Sequence, residues 1–137
     1  MSDFSGVDNF MPNREERYKA LVDRIPSGWG KWISVGDGWA DLVIQLDKDI
    51  AAIDPDYEIH QVKEKFGLLR VYESHHHDLC NSEDWNCEIH RLIAEAEEKS
   101  SRMCETCGQP GILRGKGWVR TLCDEHSEGY SPYSEKS

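Results

Sequence analysis

The chain has 137 residues, 38% hydrophobic and 31% charged, enough for one compact domain with a lean core that a bound metal would help to hold. No run approaches the roughly 18 apolar residues of a membrane span, and Met1 to Ser5 lacks a basic flank and apolar stretch, so no membrane association is expected and a cytoplasmic setting is. The net charge of −10, from 16 basic and 26 acidic side chains, repels phosphate backbones and argues against a non-specific grip on nucleic acid.

Residues 1–11 are polar with scattered phenylalanines and carry no motif. Asn13 with Glu16 forms a helix-start signal, and Tyr18, Leu21, Val22 and Ile25 repeat at helical spacing until Pro26, which predicts an amphipathic helix over about 14–25. Ser27 to Gly38 holds four glycines around Trp29 and Trp32, the composition of an irregular loop whose aromatics must pack down or bind something. Asp37 is placed to cap a second helix, with Trp39, Leu42, Val43, Leu46, Ile50 and Ile53 on one face and Asp54-Pro55 at its end. Tyr57 to Val62 and Leu68 to Tyr72 read as a β-hairpin joined by Lys63 to Gly67, with a bulge between Ile59 and Val62 where the alternation slips. After a polar loop over 74–81, a third helix is expected from Ser82 to about Ser100, with Trp85, Ile89, Leu92, Ile93 and Ala96 on its apolar face.

That helix runs into Cys104-Glu-Thr-Cys107, which is followed after fifteen residues by Cys123-Asp-Glu-His126. The spacing is that of a structural zinc site with Cys104, Cys107, Cys123 and His126 as ligands. Each half turns two donors inward on one ion, Gly108 supplies a permissive backbone behind the second cysteine, and two short strands around Gly115-Lys116-Gly117 return the second pair to the first. Four protein ligands leave no place for a reactive water, so the metal is expected to be structural. Pro110 to Leu122 contains no histidine, which removes a treble-clef nuclease, and the His-x-Glu of a zinc deaminase is absent. His60, Glu64 and Lys65 near the hairpin turn read as surface rather than acid–base machinery, so no enzyme is expected.

The predicted fold class is α+β, with helices and a β-hairpin around a small core and a C-terminal treble-clef or zinc-ribbon module. The predicted boundaries are an acidic body over 1–101, the zinc module over 102–128 and a disordered tail over 129–137. A second set of metal-liking side chains, His77, Cys80, Cys87 and His90, is a candidate second zinc site; a solvated histidine loop, a packed Cys87 and a Cys80–Cys87 disulfide are its alternatives.

Gln61 to Tyr72 (QVKEKFGLLRVY), the helix end Ala94 to Ser100, Cys104 to Arg114 (CETCGQPGILR) and Thr121 to His126 (TLCDEH) resemble a family of small phage and prophage proteins of uncharacterised activity. The resemblance covers about half the chain. It implies a phage or mobile-element origin, the same hairpin and the same zinc module, and it hands over no activity and no catalytic residue. The leading expectation is a non-enzymatic interaction protein that binds and modulates a host protein such as a defence or nuclease component, with Trp29 and Trp32 as anchors, although core packing is the more ordinary fate of those tryptophans. The alternative is a nucleic-acid-binding zinc module in which Arg114, Lys116 and Arg120 meet phosphates and Trp118 offers a stacking face; the ordinary reading of those charges is a solvated hairpin balancing an acidic neighbour.

Overall fold

The computed structural model describes residues 14–76, 87–116, 118–127 and 131–132. It is a mixed helix and sheet structure with two antiparallel hairpins. The first helix is broken in two, α1 at Arg14–Arg17 and α2 at Lys19–Asp23, with Tyr18 leaving helical geometry between them at φ −90° and ψ 1°. A single helix of this length is marginal on its own, so packing decides, and the break lets Tyr18, Leu21 and Ile25 all reach the core. The Asn13 start signal lies outside the described residues.

The second helix opens with a 3-10 turn at Asp37–Trp39 and continues as α3, Ala40–Ile53. Trp39, Val43, Leu46 and Ile50 are buried as their spacing predicts, and Asp47 is buried with them. Asp47 is held by partners. Arg24 Nε and the Tyr57 hydroxyl both donate to its Oδ1 at 2.6 Å, and the Arg24 guanidinium lies over the Tyr57 ring. Burial and the adjacent carboxylate push the Tyr57 hydroxyl far above its usual range, so it remains a donor.

Strands β1, Glu58–Lys65, and β2, Leu68–Ser74, pair in antiparallel register, with the shift at Ile59/Gln61 where the sequence alternation slips. The strands run further than predicted. Their turn is the two residues Phe66 and Gly67, at φ 54° and 79°, the left-handed pair that suits the twist of a tight hairpin. Helix α4, Glu88–Ser100, packs on β2 and on α3, and Ile89 and Ala96 join the core. The predicted start at Ser82 and the apolar Trp85 lie outside the described residues. Ser100 closes the joint, with its hydroxyl accepting from Leu69 N–H at 2.9 Å and donating to Glu97 C=O.

The second hairpin is β3, Ile112–Lys116, with β4, Trp118–Leu122, and a 3-10 turn at Asp124–His126 follows it. Ser131 and Pro132, within the stretch expected to be a disordered tail, lie along β3, where Gly115 N–H donates to Ser131 C=O. Among the described residues no helix is long and apolar enough to cross a membrane.

Candidate metal centre

The segment Cys104 to Gly111 is folded by its own backbone. Gly108 N–H donates to Cys104 C=O at 2.8 Å, Cys104 N–H to Gln109 C=O at 2.7 Å, and Gly111 N–H to Arg102 C=O at 2.9 Å. Gly108 sits at φ 85°, the left-handed conformation that brings the chain back on itself after the second cysteine. The β3–β4 hairpin then returns Cys123 to this knuckle, and the 3-10 turn adds His126. The four side chains predicted from spacing come together, their donor atoms all within 4.8 Å of one another.

Individual edges are 3.7 Å from Cys107 Sγ to Cys123 Sγ, 3.7 Å from Cys104 Sγ to His126 Nδ1 and 3.2 Å from Cys123 Sγ to His126 Nδ1. A tetrahedral ion bound at ordinary sulfur and nitrogen distances separates its donors by roughly 3.3–3.8 Å. The cluster therefore has the size of a metal site. Cys104 and Cys123 are buried and Cys107 is exposed, so the site lies at the surface of the knuckle with its inner wall against protein. Burial opposes ionisation of Cys104, but backbone N–H groups of Cys123, Cys107 and Thr106 outweigh it and bring the thiol down to about 6. Burial first, and then the neighbouring sulfurs of Cys123 and Cys104, push Cys107 up to about 11. Three thiols this close resist joint ionisation, and a bound cation relieves that resistance. This donor set could hold a metal ion.

Side chains outside the ligand set hold the knuckle to the rest of the protein, and spacing did not point to them. Glu105, between the first two ligands, is buried; its Oε2 accepts from Gly36 N–H at 2.9 Å, its Oε1 from Arg120 Nη2 at 3.2 Å, and its backbone C=O from Gly38 N–H at 2.7 Å. A methyl group on Gly38 would lie 2.3 Å from Cys104 O and 2.5–2.6 Å from the N atoms of Gly108 and Cys107. The glycine-rich loop is thus a docking strand for the knuckle, and its glycines are the signal that an ordinary loop would not need. Trp39 Nε1 adds a bond to Met103 C=O at 2.9 Å, and the Thr121 hydroxyl donates to Gly67 C=O at 2.6 Å across the two hairpins.

Comparison with family models, with characterised proteins and with solved structures finds no match.

The remaining predicted residues fall into three groups. Arg114 is buried, donating from Nε to Leu122 C=O and pairing through Nη2 with Asp124 at 2.7 Å, and Arg120 faces Glu105; both therefore brace the module from within. Trp29, Trp32 and Trp118 are exposed, Trp32 at 66% and Trp118 at 71%. Trp29 stacks on His60 at 4.8 Å, which orients one face of it. Of the second metal set, His77 and Cys80 lie outside the described residues. Cys87 and His90 do meet, with His75 as the third member, their donor atoms also within 4.8 Å, and Cys87 is disulfide-bonded.

Proposed function

We propose that the chain is a zinc-stabilised, non-enzymatic interaction protein, phage- or prophage-encoded, whose C-terminal module is of treble-clef or zinc-ribbon type and which binds a host protein in the host cytoplasm. Three thiolates and an imidazole are a soft to borderline set suited to zinc, and four protein donors close the coordination sphere, which favours a structural ion. The origin rests on the resemblance of the Gln61 to Tyr72 hairpin and the Cys104 to His126 motifs to phage proteins.

The observation that carries the interaction reading is Trp32. It stands 66% exposed at the rim of a groove of about 330 Å³ whose other walls are Glu15, Tyr18, Lys19, Val22, Lys31 and Ile33. A large exposed aromatic beside an apolar-floored groove is the composition of an interface anchor. The nucleic-acid alternative draws on Trp118, which with Phe66 flanks a second groove of about 310 Å³ and offers a flat face for a base. Its charge is weak, since Arg114 and Arg120 are engaged inside the module.

The test is affinity capture from host lysate with and without nuclease, repeated with Trp32→Ala and Trp118→Ala. A nuclease-resistant protein partner that loses about 2 kcal/mol or more of binding with Trp32→Ala supports the proposal. Salt-sensitive oligonucleotide binding that depends on Trp118 and ignores Trp32 would replace it with the alternative.

A further inference from the structure

The end of β2 and the start of α4 bring a second set of donors together, far from the Cys104 knuckle in sequence. His75 follows β2 directly, Cys87 is the residue before α4, and His90 lies one turn into that helix on the same face. Their donor atoms all lie within 4.8 Å of one another, and the His75 and His90 rings meet edge to face with centroids 5.5 Å apart. A zinc-sized ion holds its donors about 3.5 Å apart, so these side chains are near enough to converge on one ion.

Two features mark this cluster as more than three side chains packed by chance. The Nδ1 atom of His75 lies 2.8 Å from Glu73 Oε1, and both side chains are 7% exposed. A histidine whose Nδ1 is bonded to a carboxylate has its tautomer and ring plane fixed and presents Nε2 toward a metal, the common outer-shell arrangement of histidine ligands. The second feature is the placing of the sulfur. Cys87 is buried and immediately precedes a 13-residue helix, three residues before His90, so the sulfur and that imidazole lie on one helix face.

We infer that His75, Cys87 and His90 form a second divalent-metal site, of zinc-like preference, that is open when Cys87 is reduced and closed when its sulfur is in the disulfide. The two states exclude each other because one sulfur serves both. A thiol reductant supplies two electrons and two protons, the S–S bond breaks into two thiols, and the reductant departs as its own disulfide. Cys87 then releases its proton to solvent and the thiolate binds the ion beside the two imidazoles. Three protein donors leave at least one coordination position for water or another ligand, in contrast to the closed Cys104 centre.

Zinc counting on the full-length protein tests this, with zinc supplied in slight excess and unbound metal removed by gel filtration. The protein treated with a phosphine reductant should carry two equivalents, and the oxidised protein one. In the reduced state His90→Gln and Cys87→Ser should each carry one, and so should Cys107→Ser, which removes the knuckle ion and keeps the second. A single equivalent in the reduced wild type overturns the inference without reference to any variant's folding. Two equivalents retained in folded His75→Gln and in folded His90→Gln overturn it equally, because the second ion would then lie elsewhere.

Discussion

The two clusters of metal-liking side chains are built by opposite means. Around Cys104 the frame is backbone: N–H to C=O bonds at Gly108, Cys104 and Gly111 shape the knuckle, and the Glu105 carboxylate ties it to Gly36 N–H. Around His75 the frame is side chains, with Glu73 on His75 and the Asp54 carboxylate on the neighbouring His76 N–H and Nδ1, both at 2.8 Å. Backbone frames are encoded locally, by spacing and glycine. Side-chain frames depend on where two distant elements come to rest, and they titrate.

The largest effect should come from removing one donor of the backbone-framed site. Cys107→Ser is expected to abolish metal retention at that centre and to lower the melting temperature sharply, since metal binding by so small a module is itself folding free energy. Metal content with thermal melting checks it, and a variant that keeps both would show that Cys107 is no ligand. Next should come Gly38→Ala, which touches no ligand but places a methyl 2.3 Å from Cys104 O. Backbone cannot yield as a flexible side chain can, so a loss of about 2–3 kcal/mol and a 10- to 100-fold weaker hold on the metal are expected. Gly28→Ala is the control: its φ of 96° strains the chain, yet nothing lies within 4 Å of the added methyl, so metal affinity should be unchanged. Equal metal loss in both variants would mean that the loop acts by general instability rather than by docking on the knuckle.

Arg114→Ser should follow at about 2 kcal/mol of stability, read from denaturant melts, because its buried guanidinium serves Leu122 C=O and Asp124 together. From sequence alone this arginine reads as a surface charge. The pattern of a basic hairpin is the same whether its arginines face solvent or fold inward, and only the approach of Asp124 and Leu122 decides. That the four side chains of the Cys104 cluster come together was legible because each pair is set by a two-residue gap, and α3, the hairpin and its bulge because their periodicities are long. The broken first helix was not legible, since tertiary packing outweighs a marginal helix. Nor was the role of Gly36 and Gly38, which answers to a surface nearly 70 residues away in the chain, or that of His75, chosen from three adjacent histidines by the path of β2.

The smallest effect separates the two frames by acid. Asp54 is buried at the end of α3, and burial alone would raise its carboxyl; bonds from His76 N–H, the His76 ring and Asp56 N–H outweigh that and hold it below the usual carboxylate range. A folded-state value below the unfolded one means that the ionised carboxylate stabilises the native state. That contribution is complete above the unfolded value of about 3.9 and shrinks as pH falls from there through the folded value, because the unfolded chain takes up the proton first. Asp54→Asn removes the titration while keeping the size, and its cost at neutral pH should be about 1 kcal/mol for the bonds that an amide makes less well. Melting curves of the metal-free proteins, taken from pH 6 downward, should therefore show a gap between wild type and variant that is constant to about pH 4 and closes below it. A gap that persists unchanged to the lowest pH at which both fold would mean that the carboxylate's charge does not hold His76, and with it the end of β2 beside His75. The backbone bonds of the knuckle have no counterpart to this titration, so Gly38→Ala measured against metal-free wild type over the same range should show a gap without that step.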